Sequence, residues 1–224
     1  MELLHMLDVS AKILLVEDEP EIRITMSTIL SVTGYSVRTA EDGLSALHAI
    51  RQEMPDILLS DLYMPRMTGF ELLSVVRQRF PELQVVAMSG AYSGMEIPYG
   101  VSADAFYAKD TGIEALLQIL RKLCAAERTA SPSSSKVAPL WIYQEAIDSP
   151  SSAHVTIVCP ECLRTSSLSL DGSVDHVRVT RCAHCDLPIH FAITTPLHMP
   201  RLTDSPATQI SQEQARTAFS QYYY

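Results

Sequence analysis

Four short apolar segments in the first half of the chain each end in polar side chains, and this pattern restricts the fold more than any other feature. The segments and their polar ends are 13–16 with Glu17 and Asp18, 57–60 with Asp61, 85–88 with Ser89, and 105–108 with Lys109. An open parallel α/β sheet places its site at the carboxyl ends of its strands. Three acids, one hydroxyl and one lysine at a common sheet edge predict a magnesium-dependent phosphoryl acceptor.

Helical patterns alternate with these strands, which predicts a parallel sheet with right-handed crossovers. The expected strands are 12–16, 36–39, 57–60, 84–88 and 105–107, and the expected helices are 20–32, 43–52, 69–79 and 112–126. Between Ser89 and Ala105, Pro98 and Gly100 oppose a regular helix. We therefore expect a short or distorted helix in that interval.

Length and charge restrict the class of protein. The chain has 224 residues, enough for one large or two small domains. Its net charge is −9, and the first 127 residues hold 18 of the 26 acidic residues but 10 of the 17 basic ones. Such a charge disfavours strong nucleic-acid binding. The N-terminus lacks a basic region and no apolar run is long enough to span a bilayer, so a cytoplasmic location is expected.

The second half of the chain divides by composition. Residues 128–153 are rich in serine and proline and are expected to form a linker. Within it, the apolar stretch 137–147 around Trp141 is either a segment that docks on a domain or simply part of the linker. Residues 154–195 predict a small β-rich domain, with Asp171 and Gly172 as a hairpin turn. Residues 196–224 are expected to be a mostly disordered tail.

Four cysteines in that β-rich domain have the spacing of a zinc site. They form two C-x₂-C pairs, Cys159 with Cys162 and Cys182 with Cys185. Four thiolates would hold Zn²⁺ tetrahedrally with no open position for catalysis, as in a zinc ribbon. Disulfides or a redox pair are alternatives, although a redox pair would need one motif to open a helix. The fifth cysteine, Cys124, lies on an apolar helical stripe and is expected to be buried.

The order of these elements over residues 11–127 resembles the receiver domain of bacterial two-component response regulators. The resemblance implies a flavodoxin-like, doubly wound, five-stranded sheet with strand order 2-1-3-4-5. It also implies a phosphorelay protein that accepts phosphate from a sensor histidine kinase or phosphotransfer protein. Such a protein is not an enzyme beyond slow self-dephosphorylation.

The resemblance also assigns roles to individual residues. Asp61 would be the nucleophile, and Mg²⁺ would be held by Asp18, Asp61 and the backbone carbonyl of Tyr63, with Glu17 acting through a water. Lys109 would pair with Asp61 and then with the phosphoryl group. Ser89 and Phe106 would form the switch, in which both move inward on phosphorylation.

The sequence departs from the family pattern at two places, and it allows more than one function for the C-terminal domain. Asp110 stands where the family usually has a proline in a cis peptide, and the interval between residues 89 and 105 is irregular. The ribbon could be a protein-interaction module or a nucleic-acid binder, for which Arg164, Arg178 and Arg181 are the candidate basic face. The receiver could also be degenerate and bind a partner without phosphate, or shuttle phosphate with the ribbon as scaffold only.

Overall fold

A computed structural model describes residues 11–90, 101–125, 139–143, 153–170 and 177–194. Its larger unit is a five-stranded parallel sheet in the order β2-β1-β3-β4-β5. The strands are β1 (Lys12–Val16), β2 (Ser36–Ala40), β3 (Ile57–Asp61), β4 (Gln84–Ser89) and β5 (Ala105–Ala108). The predicted fold class and strand order are therefore confirmed.

Helices cover both faces of this sheet. They are α1 (Pro20–Val32), α2 (Gly43–Gln52), α3 (Gly69–Arg79) and α4 (Ile113–Ala125), with a short 3₁₀ helix at Lys109–Thr111. Local sequence explains where they begin. Pro20 occupies the first turn of α1, where its missing N–H costs nothing. Asp42 caps α2 through the backbone N–H of Ser45, and Thr68 caps α3 through that of Glu71.

The sheet separates two apolar layers. Under α1 and α4, residues such as Ile13, Leu15 and Leu59 pack with Leu30 and Leu116. The opposite layer lies under α2 and α3 and continues beyond α3 into the C-terminal unit. The fold therefore places the carboxyl ends of β1, β3, β4 and β5 at one edge, between two fully packed layers.

The C-terminal unit consists of two small sheets. Strands β7 (Ala153–Val158) and β8 (Thr165–Leu170) pair antiparallel. In the second sheet β10 (Pro188–Thr194) lies between β9 (Arg178–Arg181), which is antiparallel to it, and β6 (Leu140–Tyr143), which is parallel to it. This β-rich unit was expected.

The expected hairpin around Asp171 and Gly172 is wrong for the described strands. Strand β8 pairs with β7 and β9 pairs with β10, but β8 and β9 are not neighbours in either sheet. The two cysteine motifs make the reversals instead, one between β7 and β8 and one between β9 and β10. The turn residues themselves lie in 171–176, outside the described residues.

Strand β6 answers the question left open for the stretch around Trp141. Although it falls in the expected linker, it is a strand of the C-terminal sheet that also packs on α3. Its Leu140 and Ile142 side chains are buried. The backbone N–H of Trp141 lies 3.3 Å from the hydroxyl oxygen of Ser74 on α3 and donates to it. The segment therefore docks on the receiver-like unit.

Some expectations fall outside the described residues. These are the irregular helix between β4 and β5, at 91–100, most of the expected linker, and the C-terminal tail.

In the described part of the chain, none of the helices has the length and apolar character required to cross a membrane. Cys124 is exposed rather than buried: the buried side chains of α4 are Leu116, Leu117 and Leu120, all of which precede its last turn.

Candidate phosphoryl-acceptor site and cysteine centre

Lys109 joins two acidic residues at the carboxyl edge of the sheet. Its Nζ donates to Asp61 Oδ2 at 2.6 Å and to Glu17 Oε2 at 2.7 Å. Burial alone would lower the pKa of Lys109, but the hydrogen bonds with Asp61 and Glu17 outweigh it and raise that pKa. The lysine is therefore a fixed cation between residues that lie 92 and 48 positions away in the sequence.

Glu17 is the most buried acid of this group. Its side chain is 0% exposed, and burial raises its pKa although Lys109 opposes the shift. Its second oxygen, Oε1, is buried and has no hydrogen-bond partner within the described residues. A buried carboxylate oxygen without a partner is costly, and a cation is one way to satisfy it.

The acids fit a small divalent cation. Carboxylate oxygens of Glu17, Asp18 and Asp61 all lie within 4.8 Å of one another. Opposite ligands of an octahedral Mg²⁺ are about 4.2 Å apart, so these three groups can approach one ion. The unpartnered Glu17 Oε1 points to the same conclusion. These residues could therefore hold Mg²⁺ beside Asp61.

The loop that follows β3 also holds Asp61 in position. The Asp61 Oδ1 atom accepts from the backbone N–H of Tyr63 at 3.2 Å. The backbone N–H of Gly69 donates to the Leu62 carbonyl at 3.0 Å, and a Cβ at Gly69 would lie 2.0 Å from the Asp61 carbonyl oxygen. Only glycine permits this approach, so the first residue of α3 is in contact with the backbone of the acceptor.

Ser89 and Phe106 are both buried. Ser89 is the last residue of β4 and pairs in register with Ala108, which precedes Lys109. Phe106 is only 4% exposed, so it already occupies an inward position. The Lys109–Asp110 peptide is not cis, and Asp110 lies in the 3₁₀ helix with an exposed side chain.

A further ion pair supports the same edge but was not found from sequence. Arg66, in the loop after Asp61, donates to the buried carboxylate of Asp42 at the start of α2. Arg66 has a φ of 67°, a left-handed conformation that is uncommon outside glycine. Nothing in the local sequence predicts this pairing, because the partners are 24 residues apart.

The four cysteines of the C-terminal unit meet in one cluster. Their Sγ atoms all lie within 4.8 Å, with Cys159 to Cys185 and Cys162 to Cys182 both at 3.6 Å. Thiolates at about 2.3 Å from a tetrahedral Zn²⁺ are about 3.8 Å apart. The donor set and its spacing therefore fit zinc. Neither motif opens a helix, which disfavours a redox pair.

The two cysteine motifs have the same backbone structure. After the first, the N–H groups of Leu163 and Cys159 bind the carbonyls of Cys159 and Arg164. The second motif repeats this pattern: the N–H of Asp186 binds the Cys182 carbonyl, and the N–H of Cys182 binds the Leu187 carbonyl. Leu163 and Asp186 both have positive φ, at 56° and 61°. The repeated turn is a feature that sequence reasoning missed, because neither position holds a glycine.

Backbone N–H groups also stabilise thiolate in the cluster. The N–H of His184 lies 3.4 Å from Cys182 Sγ, and this contact is the main reason that the pKa of Cys182 falls to about 6. Burial raises the pKa of Cys159 to about 12. The backbone N–H groups of the motif therefore favour the thiolate form, which is the form in which cysteine is a strong metal ligand.

An acid on α3 lies in the contact between the two units. Glu71 is 4% exposed, and its carboxyl group accepts a hydrogen bond from the backbone N–H of Val158 on β7. Burial raises the pKa of Glu71 to about 8, and the Val158 hydrogen bond offsets only part of the shift. Residues Gly69 to Val76 of α3 are all buried. A helix that covers a sheet with only one face would expose part of every turn. The complete burial of this stretch therefore means that the C-terminal unit covers the other face of α3.

We expect Glu71→Gln to remove a pH dependence from the stability of the protein. Between about pH 4.5 and 8 the unfolded chain ionises Glu71 while the folded chain keeps its proton. The stabilisation by the neutral carboxyl is complete below pH 4.5 and is lost as pH rises through 8, by up to about 1.4 kcal/mol per pH unit. Glutamine keeps the acceptor for Val158 without the charge. Urea unfolding of both proteins across this range measures the difference.

The matched control is Glu161→Gln, a side chain 56% exposed on the other side of the same contact. Its unfolding free energy should follow that of the wild type at every pH. If wild type and Glu71→Gln lose stability in parallel from pH 5 to 8, Glu71 is not buried as a neutral acid.

Two of the three arginines of the candidate basic face in the C-terminal unit already have partners. Both nitrogen donors of Arg181 that face Asp186 bind its carboxylate, at 2.7 and 2.5 Å. Arg178 also has an interaction partner. Arg164 lies beside α2 and α3 in a cleft between the units. Of the three candidate arginines, Arg178 and Arg181 thus already have partners within the chain, whereas Arg164 lines the cleft.

Comparison with known proteins gives the family of the larger unit. Residues 13–121 match the response regulator receiver domain. Response regulator MprA of Mycobacterium bovis is 34% identical over 116 residues, which cover 51% of this chain and 50% of MprA. The chain thus matches about half the length of that relative.

Solved structures give similar coverage. TrrA of Thermotoga maritima, in complex with Mg²⁺–BeF, is 28% identical with a TM-score of 0.47 over 50% of this chain and 98% of TrrA. In the structure of the histidine kinase ThkA in complex with TrrA, the matching chain is 29% identical with a TM-score of 0.47 over 50% of this chain and 97% of that chain. On the strength of the family match and the relationship to MprA, residues 13–121 are a response regulator receiver domain.

Proposed function

We propose that this protein is a response regulator that accepts a phosphoryl group on Asp61 and signals through its docked, zinc-binding C-terminal unit. The donor would be a sensor histidine kinase or a phosphotransfer protein carrying phosphohistidine. The observation that carries the proposal is the position of Lys109, held at 2.6 Å from Asp61 and 2.7 Å from Glu17 beside a third acid, Asp18.

In the proposed reaction an oxygen of Asp61 attacks the phosphorus of the phosphohistidine. The new P–O bond forms as the P–N bond breaks, and the donor imidazole keeps the electron pair and takes a proton from solvent. Bound Mg²⁺ would supply positive charge between the carboxylate and the incoming anion. Asp18 and Asp61 would hold it, with the Tyr63 carbonyl as a further oxygen ligand and Glu17 through a water.

The chain's own residues position the reacting groups. Lys109 orients Asp61 and would then bind a phosphoryl oxygen, which compensates the added negative charge. The Tyr63 N–H holds the second Asp61 oxygen in place. The Ser89 hydroxyl would donate to the phosphoryl group. Because Phe106 is already buried, the switch in this conformation would not need the inward movement of the aromatic ring that the family resemblance implies.

Helix α3 offers a direct route from Asp61 to the C-terminal unit. Its first residue, Gly69, touches the Asp61 backbone, while Glu71 and Ser74 bind Val158 and Trp141 of the C-terminal unit. A shift of the loop after β3 on phosphorylation would therefore move the surface on which the ribbon rests. We propose that the state of Asp61 reaches the ribbon by this path and that the ribbon then contacts a protein partner.

The experiment is incubation with acetyl phosphate and Mg²⁺, read by a phosphate-affinity gel. The expected result is a shifted band that needs Mg²⁺ and is absent in Asp61→Asn, which keeps size and shape but is a poor nucleophile. Circular dichroism of the variant should match the wild type. The absence of a shift in the folded wild-type protein would contradict phosphoryl acceptance and favour a phosphate-independent binding role.

A further inference from the structure

A cleft of about 750 Å³ lies between the ends of α2 and α3 and the two cysteine motifs. Its volume falls in the range of small-molecule sites. It lies at the opposite edge of the sheet from the phosphoryl site, because α2 and α3 end at the edge where the next strands begin, whereas the phosphoryl site forms where the strands end. Neither the receiver chemistry nor a structural zinc ion explains its lining.

The lining is rich in cationic side chains from both units. Arg51 and Arg79 come from the receiver, and Arg164 comes from the first cysteine motif; His184 of the second motif and the acidic Glu161 also line the cleft. This concentration of positive charge is unexpected in a chain of net charge −9. Arg51 and Arg79 lie in the last turns of their helices, where the dipole favours cations, but this explanation does not extend to Arg164.

The guanidinium groups in the cleft have spare hydrogen-bonding capacity. Within the described ranges Arg51 and Arg164 make no ion pair. Arg79 is 3.7 Å from Glu161 Oε1, too far for a hydrogen bond, and its guanidinium lies over the Phe80 ring at 5.8 Å. Forked guanidinium donors suit the oxygens of a phosphate group, which they bind in pairs.

The cleft also has an apolar part. Met54, Phe80 and Leu163 line it, and Met54 is 49% exposed, one of few large apolar side chains in the described residues with so much exposure. A small inorganic anion would leave this surface bare. A ligand with a phosphate at one end and a planar or apolar group at the other would use both parts of the lining.

From this geometry we propose that the cleft binds a phosphorylated small molecule of the mononucleotide class. Its phosphate would contact Arg51, Arg79 and Arg164, and its base would lie against Met54 and Phe80. Because the cationic groups come from both units, a bound ligand would bridge the receiver and the ribbon. The proposal does not depend on phosphoryl acceptance by Asp61.

Calorimetric titration of the full-length, zinc-loaded protein with AMP tests the proposal. AMP should bind more tightly than ribose 5-phosphate, inorganic phosphate or adenosine, since each of those lacks part of the complementary chemistry. Arg51→Ala and Arg164→Ala should each weaken AMP binding by about tenfold or more. Arg121→Ala, an exposed arginine on α4 paired with Glu114, is the control and should bind like the wild type.

Several outcomes would overturn the proposal. One is a titration in which AMP at millimolar concentration gives no heat of binding. Another is unchanged AMP affinity in both Arg51→Ala and Arg164→Ala with zinc content and circular dichroism intact. Arg51 is on the receiver, so its variant separates loss of the site from damage to the cysteine motif. Tighter binding of a single-stranded oligonucleotide than of AMP, steeply weakened by salt, would also overturn the mononucleotide class.

Discussion

Replacement of Cys182 by serine, or removal of the zinc ion that we propose at the cysteine cluster, is expected to unfold the C-terminal unit and to uncover α3. The described part of this unit is five short strands in two small sheets, too little to bury a core that is stable alone. Structural zinc supplies on the order of 10–16 kcal/mol in zinc-finger peptides. Loss of the metal site should therefore release β6 and β7 from α3, with the contacts of Glu71 and Ser74 broken.

Hydrogen exchange with mass spectrometry measures this effect at the level of peptides. After treatment with a strong chelator, amides in 153–170 and 177–194 should lose protection, and α3 should exchange faster than α1 or α4. Cys124→Ser is the matched control, because Cys124 is exposed and lies outside the cluster. Unchanged protection of the C-terminal unit after complete metal removal would contradict the structural role of zinc.

Lys109→Met is expected to destabilise the metal-free protein and to suppress phosphorylation. The substitution leaves Glu17 and Asp61 as two nearby acids, 0% and 9% exposed, without their shared cation. Removal of one partner of a buried ionic group costs about 3 kcal/mol or more. Millimolar Mg²⁺ should restore part of this stability, because it replaces the missing positive charge. Phosphorylation should remain low even with Mg²⁺, since no lysine binds the phosphoryl oxygens.

Urea unfolding with and without Mg²⁺, followed by acetyl phosphate labelling, tests the lysine variant. Lys12→Met is the matched control: Lys12 also pairs with a glutamate at 2.7 Å, but its side chain is 51% exposed. An exposed pair of this kind contributes little, so the control should resemble the wild type in both assays. If Lys109→Met unfolds and labels like Lys12→Met, the lysine has no special role at the site.

Local patterns made the larger unit predictable. In a parallel sheet buried on both faces, apolar strands such as 57–61 and 84–89 stand out from the polar residues that follow them. Asp61 and Lys109 could be assigned to one edge because parallel strands all end on the same side. The ion pairs among Glu17, Asp61 and Lys109 then follow from the topology, although their distances do not.

The contact between the units could not be predicted in this way. Glu71 and Ser74 are polar residues on a helix, and sequence alone places such residues in solvent. Their burial results from strands β6 and β7, whose hydrogen-bonding residues Trp141 and Val158 lie at least 67 positions away along the chain. One signal was available: Phe70, Leu72, Leu73, Val75 and Val76 make α3 apolar on more than one side, which is typical of a helix covered on both faces.

The error over the Asp171–Gly172 hairpin has a similar origin. A local turn preference competes with the geometry that four clustered cysteines impose, and the turns of the two cysteine motifs prevail. Each C-x₂-C motif turns the chain through a left-handed residue, Leu163 or Asp186, and returns it beside the strand that precedes the motif. Turn propensity is reliable where nothing else determines strand pairing, and here the cysteine spacing does.

The most direct measurement locates the phosphoryl group. The protein would be phosphorylated with acetyl phosphate and Mg²⁺, treated with borohydride, which reduces an acyl phosphate on aspartate to homoserine, and digested for mass spectrometry. The account predicts homoserine at position 61 and at no other acid, with none in Asp61→Asn. Homoserine at Asp18 or another position, or its absence from a protein that shows a phosphate-dependent gel shift, would contradict Asp61 as the acceptor.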